Sequence, residues 1–333
     1  MTFELPDHAH TAATANLLRY LASQHYRFIT PTPLTHQRVQ DRRAQLSSEN
    51  APCHQLDLRD VFGWNLSFNK RLLDPLLCAL MAEAGALLAD ELDAPWQSQL
   101  RVASLGNDLF AHSAFPTVQS DAVFFGPDTY RFARFITQTL ETPGLICQGH
   151  APLRLLDIGC GTGAGGVAAV RALGHPAILT LNDINPKALH YAAANVGVAE
   201  ITTHWLPGNA MTEVTGQYDV IIANPPYLDD DQQRAYRHGG ARLGRDLSLR
   251  MAAAALAHLA PGGRLLLYTG VAIVDGRDPF LAELGALFNG FKGRWTYSEI
   301  DPDVFGEELA RPVYADIDRI AAVGLVATRR EEA

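Results

Sequence analysis

Two short stretches hold residues whose types and spacing can do chemistry. The first, "LLDIGCGTGAGG" (Leu155 to Gly166), runs from a strand-like segment into an alanine-rich, helix-like one. Gly159, Gly161 and Gly163 let the backbone turn tightly and approach a ligand closely, and the start of the following helix offers unpaired N–H groups. The next strand-like run, "AILTLND", ends in Asp183, where a carboxylate can accept both hydroxyls of a ribose. The second stretch is "DVIIANPPYLDDD" (Asp219 to Asp231), an apolar run that ends on Asn224, Pro225, Pro226 and Tyr227. Two consecutive prolines remove two backbone donors and hold φ near about −65°, so the strand stops there. An amide, a rigid turn and an aromatic ring are left at its tip.

These residues need a scaffold, and the chain predicts one. From about Asp121, strand-like runs alternate with helical ones: "AVFF", "DTYRFARFITQTL", "LRLLDIG", "GAGGVAAVRALG", "AILTLND", "PKALHYAAANV", "YDVIIAN", "LSLRMAAAALAHLA" and "RLLLYTG". That alternation implies an α/β fold, a parallel sheet flanked by helices. The front of the chain reads as mainly helical over 11–29, 34–48 and the segment after Asp74, which offers an N-cap aspartate followed by proline at the first helical position. Alternating apolar residues around Gly106-Asn107 predict a small β-ribbon. The far end, from Ser298, reads as a terminal strand pair around an acidic segment. The expected division is 1–120, a smaller, mainly helical substrate-selecting domain, and 121–333, the sheet domain.

Composition narrows the function classes. The chain has 333 residues, 47% apolar and 19% charged, which suits a soluble globular protein. No early segment combines a basic flank with a secretory-length apolar stretch, and no apolar run approaches the roughly 20 residues of a membrane span, so a cytoplasmic protein without a membrane partner is expected. Cys53, Cys78, Cys147 and Cys160 form no CxxC pair, which argues against both a disulfide framework and a zinc site. Asp7-His8-Ala9-His10 reads as a mobile terminus, and no metal is expected. The net charge of −9 is spread along the chain, with 9 basic and 13 acidic residues in 1–125, so a general polyanion binder is disfavoured.

The glycine turn alone leaves two ligands open. Gly159-x-Gly161-x-x-Ala164 also satisfies a dinucleotide fingerprint, and Asp183 lies near the roughly 20-residue offset expected of it, as in a nicotinamide-dependent dehydrogenase. Asp157 and the Asn-Pro-Pro-Tyr turn separate the two. With them, residues 121–270 resemble the class I S-adenosylmethionine (SAM)-dependent methyltransferases, and within them the N-P-P-Y group that includes the HemK/PrmC glutamine methyltransferases. The resemblance implies a Rossmann-like class I sheet with SAM as cofactor and S-adenosyl-L-homocysteine as product. Asp157, Gly159, Gly161, Gly163 and Asp183 would hold SAM. Phe125 and Thr129 of "FFGPDTYRF" would cover its methionine end, although Gly126 stands at the arginine-like position; a helix start capped by Asp128 is the plainer reading. Asn209 of "PGNAM" takes the usual place of an acid at the adenine amino group.

The resemblance also implies the chemistry of the turn. The nitrogen of an amide or exocyclic amine is a poor nucleophile because its lone pair is delocalised. If the Asn224 side-chain oxygen and the Pro225 carbonyl accept its two N–H bonds, it is held and polarised for in-line attack on a methyl group. Pro225 and Pro226 would fix that carbonyl, and Tyr227 would cover the planar face of the substrate. Beyond the turn, Arg242, Arg245 and His238 are candidate substrate contacts. Three aspartates at 229–231 would repel a phosphate backbone, which favours protein glutamine over adenine or guanine amino groups in RNA or DNA. A small-molecule acceptor, another SAM-consuming biosynthetic reaction and a non-catalytic SAM-binding module are the remaining readings.

Overall fold

The computed structural model describes residues 8–48, 57–87, 95–141, 152–231, 234 and 236–331. Among the described residues, four α-helices come first: α1 (His8–Ser23), α2 (Pro33–Ser48), α3 (Leu58–Phe62) and α4 (Pro75–Glu83). The ribbon follows, β1 (Leu100–Leu105) paired antiparallel with β2 (Asp108–Ser113) across Gly106-Asn107. As the sequence implies, Asp74 caps α4, accepting from the Leu76 and Leu77 amides at 2.9 and 3.3 Å.

The rest alternates: α5 (Pro127–Leu140), β3 (Leu153–Ile158), α6 (Ala164–Leu173), β4 (Ala177–Asp183), α7 (Pro186–Val198), β5 (Thr203–Pro207), α8 (Ala210–Glu213), β6 (Tyr218–Ala223), α9 (Arg245–Ala257), β7 (Leu259–Ile273), α10 (Pro279–Leu287), β8 (Gly293–Asp301) and β9 (Arg319–Arg329). They build a seven-stranded sheet in the order β5-β4-β3-β6-β7-β9-β8. β9 runs antiparallel to β7 and β8, and the other pairings are parallel.

Period-two side-chain direction explains why these strands read as continuous apolar runs. Leu155, Val220, Ile222, Leu266 and Tyr268 point to one face, where Phe132 and Ile136 of α5, Val167 of α6 and Leu189 of α7 cover them. Leu156, Ile221, Ala223, Leu265 and Leu267 point to the other, under α9 and α10. The front region packs on the outer side of α7, whose Ala188 and Tyr191 join the core built by α1, α3, α4 and the ribbon. Asn195 of α7 fastens the two parts, accepting from the Ala111 amide at 2.8 Å and donating to the Thr162 carbonyl at 2.9 Å.

One expected element is absent. "AVFF", expected as a strand, is an irregular connector over Ala122–Phe125. Ser113 takes up the backbone of Val123, donating its amide to the Val123 carbonyl at 3.1 Å and accepting the Val123 amide on Oγ at 2.9 Å, so the segment hangs from the end of the ribbon and never reaches the sheet. Asp7, Cys53 and Cys147 lie outside the described residues, and Cys160 is a buried thiol. Among the described residues, no cluster of ligating side chains could hold a metal, and no helix is long and apolar enough to cross a membrane.

Candidate active site

A cavity of about 400 Å³ opens at the C-terminal ends of β3, β4 and β6. Strand order reverses between β3 and β6, and in open α/β sheets that crevice is where ligands bind.

The glycine turn forms one wall. Gly159 and Gly161 sit at φ of 68° and 53°, and a Cβ added at either would meet nothing within 4 Å, so the backbone is bare toward the cavity. Gly163, at φ 77°, caps α6 and is not among the cavity-lining residues. Asp157 and Asp183 both line the cavity and brace the turn: Asp157 Oδ2 accepts the Gly166 amide at 2.9 Å and Asp183 Oδ2 accepts the Gly161 amide at 2.9 Å. Burial pushes the Asp157 carboxyl up to about 7, opposed by the Gly166 amide and reinforced by the nearby Asp183. Burial raises Asp183 as well, against the pull of the Asn185 and Gly161 amides. Two buried acids beside open backbone fit a cationic nucleoside with a free ribose. Asn209 lines the cavity too, with its oxygen already capping α8 through the Met211 amide at 3.1 Å.

Asn224, Pro225, Pro226 and Tyr227 form the facing wall. The Asn224 Nδ2 group donates to Asp128 Oδ2 at 3.3 Å, while the buried Oδ1 has no hydrogen-bond partner among the described residues. The Tyr227 hydroxyl donates to Asp128 Oδ1 at 2.9 Å, and the Tyr268 hydroxyl donates to the same oxygen at 2.6 Å. The Tyr227 ring is buried against Gly270 and meets Phe305 edge-on at 5.8 Å. Gly270 is required here, because a Cβ would stand 2.2 Å from the ring.

Several sequence candidates stand elsewhere. Thr129 lines the cavity, but Phe125 packs against the ribbon, stacked on Phe110 at 5.6 Å; its neighbour Phe124 lines the cavity, since successive side chains of an extended segment point opposite ways. His238 accepts the Asp230 amide on Nδ1 at 3.2 Å and does not line the cavity. Arg242 and Arg245 are likewise absent from the lining: both pair with Glu283 of α10, at 2.5 and 2.7 Å, and Arg242 also pairs with Asp246. They clamp α9 to α10. Nor is the aspartate run a free acidic loop. Asp230 is paired with Arg234 and Arg237, the Arg234 hydrogen bond leading in holding its carboxyl down at about 2, and Asp231 pairs with Arg311. The residue that sequence reasoning missed is Asp128. Its helix is capped by Gly126, and its carboxylate turns inward to Asn224 and the two tyrosines.

Residues 133–272 match the family model described as the methyltransferase small domain. This stretch is a SAM-dependent methyltransferase domain. Both walls of the cavity, from Asp157 to Tyr227, fall inside it. Over 117 residues the chain is 32% identical to a ribosomal RNA small subunit methyltransferase C from Enterobacter sp., covering 35% of this chain and 31% of that protein. Over 167 residues it is 30% identical to a release factor glutamine methyltransferase from Koribacter versatilis, covering 46% of this chain and 55% of that protein. The structure of M. jannaschii TYW2 in complex with AdoMet aligns over 74% of this chain and 90% of that one, at 12% identity and a TM-score of 0.47. The chain thus spans about a third to about half the length of these curated relatives.

Proposed function

We propose that the protein transfers the methyl group of SAM to a planar nitrogen, with a glutamine amide of a protein as the acceptor. The observation that supports this reading is the oxygen of Asn224, a cavity-wall residue: a buried acceptor without a partner among the described residues. Leaving such an atom unpaired costs about 1–3 kcal/mol, and an arriving N–H removes that cost. Pro225, fixed by the following proline, supplies the second acceptor. The substrate nitrogen gives its lone pair to the methyl carbon, the sulfur–carbon bond breaks to leave S-adenosyl-L-homocysteine, and the nitrogen, acidified by its new bond, releases its proton to solvent. SAM brings the electrophile. Asp157 would face its ammonium and Asp183 its ribose, while Gly159 and Gly161 allow the close approach.

The amino group of a nucleobase is the second reading. Pairing of Asp230 and Asp231 with arginines removes much of the repulsion a phosphate would meet, and the exposed Arg250 lines the cavity. The test is transfer of labelled methyl groups from SAM into an extract lacking the protein, followed by sorting of the label. Label on a protein glutamine amide supports the first reading and label in RNA or DNA the second. Label only in low-mass material overturns both.

A further inference from the structure

A carboxamide can present either an oxygen or an NH2 group to a ligand in almost the same shape, and only its neighbours decide which. At Asn224 the deciding neighbour is Asp128, second residue of α5 and 6% exposed. Both tyrosine hydroxyls converge on Asp128 Oδ1, and Oδ2 receives Asn224 Nδ2. An ionised carboxylate only accepts, so Asn224 must turn its NH2 group toward it and its oxygen away. A proton on Oδ2 would reverse this. The carboxyl would become a donor, the Asn224 oxygen would turn to it, and an NH2 group would meet the N–H of the acceptor.

We propose that Asp128 is the positioning residue that selects which end of the Asn224 amide faces the methyl acceptor, and that transfer requires Asp128 in its ionised form. This rests on the planar-nitrogen reading and adds a control to it. The groups facing the carboxyl are Asn224 and Tyr227 after β6, Tyr268 on β7 and Arg131 on its own helix, itself bonded to Asp301 of β8 at 2.8 Å. Burial raises the Asp128 carboxyl, and the hydroxyls of Tyr268 and Tyr227, the Asn224 amide and Arg131 oppose that rise. Transfer therefore falls on acidification at a pH above the ordinary aspartate range.

The experiment compares wild type, Asp128→Asn, Asn224→Ala and the double variant. Its readouts are the initial rate of tritiated methyl transfer from saturating SAM into an extract lacking the protein, and SAM affinity by calorimetry. Asp128→Asn should lower the rate by about 10²-fold, the scale of a misplaced catalytic contact, with SAM affinity nearly unchanged. In the Asn224→Ala background the same change should cost no more than about twofold, because there is no amide left to orient. Equal losses in both backgrounds would overturn the proposal, as would an undiminished rate in Asp128→Asn. An undiminished rate in Asn224→Ala alone would instead remove the planar-nitrogen reading beneath it. Tyr268→Phe supplies a check that does not depend on Asp128→Asn folding. Removing a hydroxyl that stabilises the carboxylate should move the acidic limb of the rate profile to higher pH, and an unmoved limb would sink the idea.

Discussion

Two buried polar clusters lie on either side of the connector at 122–126, and they are built in opposite ways. On the cavity side, Asp128 is a buried acid met by two hydroxyls and an amide. On the front side, Arg101 is a buried base, 4% exposed, whose partners among the described residues are neutral: the Ser113 carbonyl at 3.5 Å, His36 Nδ1 at 3.4 Å and the Phe115 ring at 5.8 Å. Beside it, among the described residues, both ring nitrogens of His112 and the Thr30 hydroxyl have no hydrogen-bond partner of good geometry. Burial brings Arg101 down to about 10, and burial followed by the Arg101 charge brings His36 down to about 4. In the first cluster the unpaired buried atom, Asn224 Oδ1, belongs to a residue of the cavity wall. In the second the unpaired atoms belong to residues that do not line that cavity. An unsatisfied polar atom reads as function in one place and as lost stability in the other, and the difference is what it faces.

The largest effect that sharpens this contrast is expected at Asn224. Asn224→Ala removes the acceptor and should lower the transfer rate by about 10²–10³-fold, the usual consequence of deleting one preorganised polar contact to the reacting centre. SAM affinity, measured by calorimetry, should hold. Stability should fall by about 1–3 kcal/mol, because the Nδ2 hydrogen bond to the buried Asp128 carboxylate goes with the side chain. A rate within the error of wild type would place Asn224 with the front cluster, as a buried group without a catalytic part.

Arg101 gives the converse experiment. A buried charge with no opposite charge beside it carries a desolvation penalty of several kcal/mol that no Coulombic attraction repays. Arg101→Met should therefore raise the urea midpoint, with the transfer rate unchanged. A clear drop in midpoint would mean that the guanidinium interacts more favourably than its neutral contacts imply, and the contrast between the clusters would be lost.

Gly270→Ala tests the packing that aims the tyrosine. The added methyl would sit 2.2 Å from the Tyr227 ring, so the ring must move and its hydroxyl must leave Asp128. Overpacking of this kind costs about 1–3 kcal/mol, read from denaturant unfolding. The transfer rate should fall with it, since Asp128 loses one of its donors. Lost stability with a full rate would show that Tyr268 and Asn224 suffice to hold the carboxyl.

How much of this was legible in the sequence follows the range of the interactions. The glycine turn and the Asn-Pro-Pro-Tyr strand end were readable because φ restrictions and a terminal acid are local properties, and the sheet was readable because its strands alternate with helices along the chain. Asp128 was not. Its partners lie 96, 99 and 140 residues away, and from its neighbours alone it looks like a helix cap. Arg242 and Arg245 looked free for a substrate because Glu283, which holds both, is 38 or more residues distant. "AVFF" carried strand propensity, but its backbone bonds go to Ser113 rather than to a neighbouring strand. In each case a long-range partner decided the role, and local pattern could not name it.

The smallest predicted effect separates the SAM wall from the acceptor wall by pH. Asp157 is held near 7 by burial, so close to neutrality it is only partly ionised. In the unfolded chain an aspartate titrates near about 4, so the fold binds the extra proton between those values, and the contribution of Asp157 to stability is greatest below about 4 and declines as pH rises through about 7. A cationic ligand ammonium beside it reverses the preference and favours the carboxylate. SAM binding should then release a proton below about pH 7 and tighten as pH rises to that value, levelling off above it. Calorimetry in buffers of different ionisation enthalpy reads the proton directly. Asp128, which faces the acceptor rather than SAM, should leave that titration untouched, so Asp128→Asn must show the same proton release. A changed release in that variant would mean that the two walls titrate as one network, and the orienting role of Asp128 would then have to be separated from an effect on SAM itself.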